Sequence, residues 1–264
     1  MTLDEIAAGR PRFEERFRLD GKVVIVTGAS SGLGESFAGA IADVGGRLVL
    51  GARRAERLAE ATRAITERGG EAIAVTADVS RVDDCARLVD QAMSAFGRVD
   101  VLVNNAGVAS AIPATRESEA EFRNVVDVNL MGTYWMAQHC GRVMAPGSSI
   151  VNISSVLALT TANLPQAAYA SSKAAVIGLT RDLAQQWSGR KGIRVNAVAP
   201  GFYETEMTAE YAPGYLDKTI AARVPVGRPG RLEECAAAVV FLASDAASYI
   251  TGVTLPVDGG LLTT

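Results

Sequence analysis

The sequence predicts an α/β protein: a doubly wound parallel sheet of about seven strands, flanked by helices on both faces. Two observations lead to this prediction. Short runs of continuous apolar residues alternate with longer segments of helical periodicity from end to end, as in repeated βα units with right-handed crossovers. A glycine-rich loop also follows the first apolar run directly and precedes the first helical segment.

The helices and strands are predicted from the spacing of apolar residues and from local composition, in chain order. Continuous β-branched and aliphatic runs predict buried strands, and apolar residues repeating at three- and four-residue intervals predict helices. The predicted strands span residues 22–27, 47–52, 72–76, 101–103, 149–154, 194–198 and 253–257. The predicted helices span residues 33–44, 55–68, 82–96, 117–144 (with or without a break), 166–188 and 233–243. The longest irregular stretch, 200–231, is typical of a lid or a binding loop.

The composition excludes several classes of protein. Among 264 residues, 26 Lys and Arg are balanced by 29 Asp and Glu, so the basic excess of a nucleic-acid-binding protein is missing. The single histidine, His139, rules out a two-histidine metal site and is interpreted as structural; no metal is predicted. Cys85, Cys140 and Cys235 form no CxxC pair and indicate buried thiols in a reducing, cytoplasmic compartment.

Neither a secretory signal nor a membrane span is predicted. Residues 1–18 are rich in charge and lack the apolar core of a signal peptide, which predicts an N-terminal arm. Residues 143–172 carry no charge, but proline, glycine, asparagine and threonine interrupt them before they reach the length of a membrane span. This uncharged stretch therefore needs another explanation.

The loop after the first strand predicts a phosphate site. Its sequence, TGASSGLG over residues 27–34, places Gly28, Gly32 and Gly34 where a tight turn and a close approach to a pyrophosphate require them. The other binding candidates in this loop are Ser30, Ser31 and Leu33. No Lys-Ser/Thr pair follows the last glycine, which excludes a Walker loop. A Rossmann-type dinucleotide site and a tight turn without a ligand are the two interpretations left.

The end of the second strand favours NADP(H) over NAD(H). An acidic residue at this point would bind the ribose hydroxyls of NAD(H), but the sequence has Ala52 there. Arg53 and Arg54 follow it and are suited to a 2′-phosphate. Ser31 lies where a basic residue often assists that phosphate, so NAD(H) stays open as the second cofactor.

A Tyr-x-x-x-Lys pair predicts the proton chemistry. Tyr169 and Lys173 are four residues apart in a predicted helix and therefore share one face. A cation close to a phenol lowers its pKa, which makes tyrosine usable as an acid or base near neutral pH. Ser155 ends the preceding strand, where its hydroxyl can bond to a substrate carbonyl or alkoxide.

Further motifs occur in order along the chain. They are ADVS (77–80), NNAG (104–107), VNLMG (128–132), VNISS (151–155), YASSK (169–173), VNAVAPGFYETEMT (195–208) and TGVTLPVDGG (251–260). With these motifs the chain resembles the short-chain dehydrogenase/reductase family, of the single-domain Tyr-x-x-x-Lys type. The resemblance implies one dinucleotide-binding catalytic domain over 19–264, with a substrate loop at about 200–231.

The resemblance also implies roles for individual residues. Tyr169 would be the acid and base, and Lys173 would hold the nicotinamide ribose and lower the pKa of the tyrosine. Ser155, rather than Ser154, would polarise the carbonyl, and Asn129 would anchor a water that relays protons. The remaining cofactor-binding residues would be Asp78, Val79, Asn105, Ala106, Gly107, Pro200, Gly201, Tyr203 and Thr205. Family members are usually homotetramers, and a homotetramer or homodimer is expected.

The substrate is expected to be a ketone or secondary alcohol with a hydrophobic body. The segments that should line its pocket contribute mainly apolar and aromatic residues: Val108, Ile112, Val156, Leu157, Leu159, Leu164, Tyr203, Met207, Tyr211 and Tyr215. A 3-oxoacyl-carrier-protein reductase is the second candidate, because Arg142 is the only basic residue at the end of the helix before residue 150. A dinucleotide-binding protein without turnover is the third. The Tyr–Lys interval disfavours reduction of C=C bonds.

Overall fold

The computed structural model describes residues 12–209 and 211–264. Within them, seven strands form one sheet: β1 Val23–Thr27, β2 Arg47–Ala52, β3 Ala72–Thr76, β4 Val101–Asn104, β5 Ser149–Ile153, β6 Arg194–Pro200 and β7 Thr254–Val257. The strand order is β3-β2-β1-β4-β5-β6-β7, and every neighbouring pair is parallel. The predicted doubly wound parallel sheet is therefore confirmed.

The continuous apolar runs are explained by two cores, one on each face of the sheet. Along β1, Val24 and Val26 face the first core, whereas Val23 and Ile25 face the second. Because successive side chains point to opposite faces, a strand covered on both sides must be apolar at every position. Cys85, Cys140 and Cys235 are free and buried in these cores, as predicted.

The helices cover both faces. They are α1 Gly32–Asp43, α2 Ala55–Glu67, α3 Val82–Phe96, α4 Glu119–Val126, α5 Gly132–Val143, α6 Ala167–Lys191, α7 Glu206–Ala209, α8 Tyr215–Arg223 and α9 Leu232–Ala243. Helices α1, α2 and α9 contribute to the first core, and α3, α5 and α6 to the second. In residues 12–209 and 211–264, no helix has the length and apolar character needed to cross a membrane.

The helix predicted over residues 117–144, with or without a break, is observed as a continuous helical segment over residues 119–143. The segment consists of α4 and α5, joined by one π-helical turn at Asp127–Met131. This turn contains Asn129, whose backbone carbonyl accepts the Thr133 hydroxyl at 2.7 Å. Such π-turns are rare within helices and are often found at functional sites.

The expectation of one irregular segment over 200–231 was wrong in part. This segment contains α7 and α8, which are four and nine residues long. Helices of this length hold too few turns for apolar periodicity to reveal them. Gly214, at a φ of 73°, precedes α8 and separates the two helices.

Part of the predicted N-terminal arm, residues 1–11, lies outside the described residues. The following residues form a short 3-10 helix, Phe13–Phe17. The ring of Phe17 lies 6.2 Å from the ring of Phe241 in α9. The division of the chain at residue 18 stays a prediction.

Candidate active site

One cavity of about 510 Å³ opens at the carboxyl ends of the central strands. Its wall includes the residues that follow β1, β4, β5 and β6. The strand order reverses between β1 and β4, and ligands of open α/β sheets bind at this switch point. Every site residue expected from the sequence lines the cavity except Asn129: Gly28, Ser30, Ser31, Gly32, Leu33, Gly34, Arg53, Arg54, Asp78, Val79, Asn105, Ala106, Gly107, Ser155, Tyr169, Lys173, Pro200, Gly201, Tyr203 and Thr205.

The glycine loop is packed so tightly that side chains cannot replace two of its glycines. A Cβ atom at Gly34 would lie 2.2 Å from the carbonyl oxygen of Gly28. Gly28 has a φ of +65°, and a Cβ atom there would lie 2.8 Å from Cα of Ala106. Asn105 Nδ2 donates to the Thr27 and Gly28 carbonyls at 3.0 and 3.1 Å, which fixes the loop on the end of β4.

The amino end of α1 fits the pyrophosphate of a dinucleotide. Ser31 is the N-cap residue, and its side chain forms no capping hydrogen bond with the helix. Ser31, Gly32, Leu33 and Gly34 line the cavity, so the first turn of the helix faces it. The amino end of a helix offers N–H donors and a positive dipole end, which together bind phosphate groups.

The wall beyond this loop carries most of the charge in the cavity. Arg54 donates to the Ser31 hydroxyl at 2.5 Å and to the Ser30 hydroxyl at 3.3 Å. Glu206 of α7 forms ion pairs with Arg54 at 2.8 Å and with Arg57 at 2.5 Å. Glu206 was not predicted as a site residue, because nothing local in the sequence connects it to arginines about 150 positions earlier.

Asp78 and Val79 lie just after β3, at the same end of the cavity. The Asp78 carboxylate accepts hydrogen bonds from the backbone and hydroxyl of Ser80, at 3.0 and 2.7 Å. Asp78 therefore closes a local turn and is still exposed to the cavity. Val79 is buried and packs against Gly132, where a Cβ atom would lie 2.7 Å from a valine methyl.

Tyr169, Lys173 and Ser155 meet at the opposite end of the cavity. All three are buried, with exposed fractions of 9%, 4% and 6%. Lys173 Nζ donates to the Ile153 carbonyl at 2.7 Å and lies 5.8 Å from the centre of the Tyr169 ring. Ser155 Oγ accepts from the backbone N–H of Leu157 at 3.1 Å, which leaves its hydroxyl hydrogen free to be donated.

The pKa of Tyr169 is raised in this structure, not lowered by Lys173 as expected. Burial raises the pKa of Tyr169 to about 12, and the hydrogen bond with Ser155 opposes this rise. Burial also lowers the pKa of Lys173 to about 8. Desolvation disfavours the charged form of each group, and the Lys173 ammonium is directed to the Ile153 carbonyl. The prediction of a lowered tyrosine pKa is therefore corrected.

Asn129 lies behind the cavity wall and is fully buried. Its side-chain oxygen accepts from Val108 N at 2.8 Å, and its nitrogen donates to Val108 O at 2.9 Å and to Ser172 Oγ at 3.0 Å. These bonds use both amide hydrogens and one of the two lone pairs of the amide oxygen. The water-anchoring role stays a prediction.

Ser154 and the residues after β6 have structural partners. The Ser154 hydroxyl donates to the Lys173 carbonyl at 2.8 Å and so joins the end of β5 to α6. Tyr203 lines the cavity, and its hydroxyl donates to the Val257 carbonyl at 2.8 Å. The Thr205 methyl lies 3.5 Å from where a Cβ atom at Gly32 would be. The loop after β6 thus reaches across to the glycine loop.

The expected substrate wall is confirmed in part. Val108, Val156, Leu157, Tyr203, Met207 and Tyr211 line the cavity, and so does Phe202, which was not anticipated. Ile112, Leu159, Leu164 and Tyr215 are not among the lining residues. Leu159 is 47% exposed. The Tyr215 hydroxyl is bonded to the Ala162 carbonyl, and its ring packs behind Phe202 and Tyr211.

Comparisons with known proteins agree with this site. A family model described as enoyl-(acyl carrier protein) reductase matches residues 28–262. The chain is 40% identical over 247 residues to the 3-oxoacyl-[acyl-carrier-protein] reductase FabG of Thermotoga maritima, covering 93% of this chain and 99% of that protein. It is 44% identical over 253 residues to 3beta-hydroxysteroid dehydrogenase 1 of Eggerthella lenta, covering 92% and 94%.

A solved structure with bound nucleotide is also similar. It is a protein from Beutenbergia cavernae described as a NAD(P)-dependent gluconate 5-dehydrogenase, with NADP bound at low occupancy. The TM-score is 0.87 at 38% sequence identity, over 94% of this chain and 100% of that chain.

Fold, site and relatives together define the class of protein. The chain belongs to the short-chain dehydrogenase/reductase family. It is an NAD(P)-dependent oxidoreductase that interconverts a ketone and a secondary alcohol by hydride transfer.

Proposed function

We propose that this chain reduces ketones, or oxidises the matching secondary alcohols, of small molecules with a hydrophobic body, with Tyr169 as the acid and base. One observation carries the proposal. Tyr169 and Ser155 are held together in a buried pocket, and Lys173 lies one helical turn from the tyrosine. A phenol and a hydroxyl that converge on one point can share a single carbonyl oxygen.

In the direction of reduction, a bound nicotinamide would supply the hydride for the carbonyl carbon. Tyr169 donates its phenolic proton to the carbonyl oxygen, and the Ser155 hydroxyl donates a hydrogen bond to the same oxygen. The raised pKa of Tyr169, about 12, keeps the phenol protonated at neutral pH and therefore suits this direction. Oxidation requires the reverse proton transfer, from the alcohol to the phenolate of Tyr169.

The other residues bind and position the cofactor. The amino end of α1 and the glycine loop would hold the pyrophosphate, and Lys173 would hold the nicotinamide ribose. Asn129 would fix the loop after β4 through Val108. The remaining wall would contact the adenosine, the ribose and the carboxamide, as proposed for Asp78, Val79, Asn105, Ala106, Gly107, Pro200, Gly201, Tyr203 and Thr205.

NADP(H) is proposed as the preferred cofactor. Arg53 and Arg54 lie at the end of the cavity away from Tyr169, and Ala52 offers no carboxylate to repel a 2′-phosphate. Arg54 lies against the glycine loop through its bonds to Ser30 and Ser31. In residues 12–209 and 211–264, Arg53 has no hydrogen-bond or ion-pair partner and can turn to a ligand.

The hydrophobic body of the substrate is supported by the cluster around Tyr169. Val156, Leu157 and Phe202 belong to the same apolar cluster as the catalytic tyrosine, with Met207 and Tyr211 packed against it. Among the lining residues, the charged ones other than Lys173 are Arg53, Arg54, Asp78 and Glu206. They lie at the cofactor end, so the substrate end offers little to a charged sugar acid.

A 3-oxoacyl thioester on a carrier protein is the second candidate. The 40% identity with FabG of Thermotoga maritima over nearly its full length favours it. An acidic carrier protein needs a basic surface beside the entrance, and the arginines that line the cavity, Arg53 and Arg54, lie at its cofactor end. This candidate therefore ranks second, ahead of a nucleotide-binding protein without turnover.

Two further proposals concern the assembly and the location. We propose a homotetramer or homodimer in which α4, α5 and α6 pack across an interface, because their outward surfaces include Phe122 and Val143, which are 41% and 38% exposed.

We propose a cytoplasmic location because three free cysteines suit a reducing compartment.

A substrate screen tests the proposed function. The protein is mixed with NADPH or NADH and three groups of compounds: cyclic and aromatic ketones, sugar acids, and 3-oxoacyl thioesters with and without a carrier protein. The nicotinamide absorbance reports turnover. We expect the hydrophobic ketones to give the highest kcat/KM. Preference for the carrier-bound thioester would establish the second candidate, and nucleotide binding without turnover of any compound would contradict both.

A further inference from the structure

Two arginines at the start of α2 hold one carboxylate that comes from the substrate loop. Glu206 Oε2 lies 2.8 Å from Arg54 Nη1, and Glu206 Oε1 lies 2.5 Å from Arg57 Nη1. Each carboxylate oxygen thus has its own guanidinium. About half of the Glu206 side chain is exposed, and it lines the same cavity as Arg53 and Arg54.

This carboxylate lies at the end of the cavity where the sequence lacks an acidic residue in β2. An acidic residue at the end of β2 would favour NAD(H), and the chain has Ala52 there. Glu206 brings a negative charge to the same end of the cavity from α7, beyond the opposite side of the glycine loop. The side chain of Arg54 connects the two sides, because it bonds both Ser31 and Glu206.

We propose that Glu206 is a determinant of cofactor selectivity, which lowers the affinity for NADP(H) relative to NAD(H). The inference rests on the proposed cofactor site. A 2′-phosphate that pairs with Arg54 must displace Glu206 or lie beside its carboxylate. Displacement from Arg54 loses at least one of the two ion pairs of Glu206, and close approach brings like charges together. NAD(H), which has no 2′-phosphate, meets neither cost.

The size of the effect follows from the exposure of the groups. Exposed ion pairs are individually weak, and salt screens them. Two such pairs on one carboxylate correspond to an affinity ratio of about three- to tenfold. We therefore expect the Glu206→Gln variant to bind NADPH about fivefold more tightly than the unmodified protein does, while its affinity for NADH changes less than about twofold.

The matched control is Glu60→Gln. Glu60 is an exposed residue of α2 and makes no ion pair within residues 12–209 and 211–264. The substitution removes one negative charge from the helix that carries Arg57, but leaves Arg54 and Arg57 paired with Glu206. We expect this variant to bind both nucleotides as the unmodified protein does.

The experiment measures dissociation constants by nicotinamide fluorescence for NADPH and NADH, at low ionic strength, in the three proteins. Competition by 2′,5′-ADP and by 5′-AMP isolates the adenosine half of the site. Tighter binding of the two 2′-phosphorylated ligands in Glu206→Gln alone supports the inference. An unmoved or reversed NADPH/NADH ratio, or an equal change in Glu60→Gln, overturns it. Failure of the unmodified protein to bind either nucleotide overturns the cofactor site itself, and the selectivity role with it.

Discussion

Asn129 and Val108 are joined by a reciprocal pair of hydrogen bonds. The side-chain oxygen of Asn129 accepts from the backbone N–H of Val108 at 2.8 Å, and its nitrogen donates to the backbone carbonyl of Val108 at 2.9 Å. The pair connects the π-turn between α4 and α5 to the loop after β4. Because a third bond reaches Ser172, three residues from Tyr169, the same amide also positions the helix that carries Tyr169.

Loss of this amide should therefore destabilise the protein. Asn129→Ala removes the partner of both backbone groups of the partly buried Val108 and of the buried Ser172 hydroxyl, and we expect the free energy of unfolding to fall by about 2–4 kcal/mol. Urea unfolding measures this. Asn124→Ala, in the exposed face of α4, is the control and should change stability by less than about 0.5 kcal/mol. Equal effects of the two substitutions would contradict the role of Asn129.

The glycine loop gives a prediction with an internal control. Gly34→Ala places a Cβ atom against the Gly28 carbonyl, which belongs to the backbone and cannot turn away. We expect at least about tenfold weaker NADPH binding and a loss of stability of about 2 kcal/mol or more.

Gly39 lies in the same helix and has no atom within 4 Å of its added Cβ. Gly39→Ala should therefore stabilise the protein by about 0.5–1 kcal/mol, because alanine favours a helix interior. Fluorescence titration and urea unfolding of both variants check the pair. Weakened nucleotide binding in Gly39→Ala would show that the loop geometry is not the cause.

Lys173 is expected to reduce stability while it supports function. Burial lowers its pKa from 10.5 to about 8, so the folded protein releases a proton that the unfolded chain retains between these values. The cost is complete below about pH 8 and is relieved as the pH rises from about 8 towards about 10.5.

We therefore expect Lys173→Met to raise the free energy of unfolding at pH 7 by about 1–2 kcal/mol, after the lost bond to the Ile153 carbonyl is included. Turnover should be lost. Urea unfolding at about pH 7 and about pH 10 checks the sign, since the advantage of the variant must shrink at the higher pH. A constant or growing advantage would contradict the burial argument.

The pH dependence of the two reaction directions should differ. Tyr169, with a pKa of about 12, holds its proton through neutral pH, so oxidation should become faster as the solution becomes more alkaline. Reduction should stay level at neutral pH and fall above about pH 8, where Lys173 loses its charge. In Lys173→Arg, which keeps its charge, that fall should disappear. Profiles of kcat/KM against pH in both directions test this, and a fall near pH 8 that persists in Lys173→Arg would assign it to another group.

Most of the site residues could be predicted from local sequence patterns. Contacts between distant parts of the chain could not be predicted in this way. The spacing of Tyr169 and Lys173 in one helix, and of Gly28 and Gly34 in one loop, requires only neighbouring residues. The ion pair of Arg54 with Glu206 depends on where a four-residue helix lies in space, and no periodicity reveals that.

Side-chain orientation and burial could not be predicted from the sequence either. Tyr211 and Tyr215 were both predicted to line the substrate pocket, but only Tyr211 does so, because the hydroxyl of Tyr215 is bonded to the Ala162 carbonyl. The raised pKa of Tyr169 also depends on the burial of its side chain, which was not predicted from the sequence.

The most direct test of the account compares Tyr169→Phe with the unmodified protein, with turnover and nucleotide affinity measured on the same preparations. The substitution removes one hydroxyl and keeps the ring in its apolar cluster. The account predicts that kcat for the best ketone found with NADPH falls by about a hundredfold or more, while the dissociation constant of NADPH changes less than about twofold. Turnover by Tyr169→Phe at the rate of the unmodified protein would contradict the central claim.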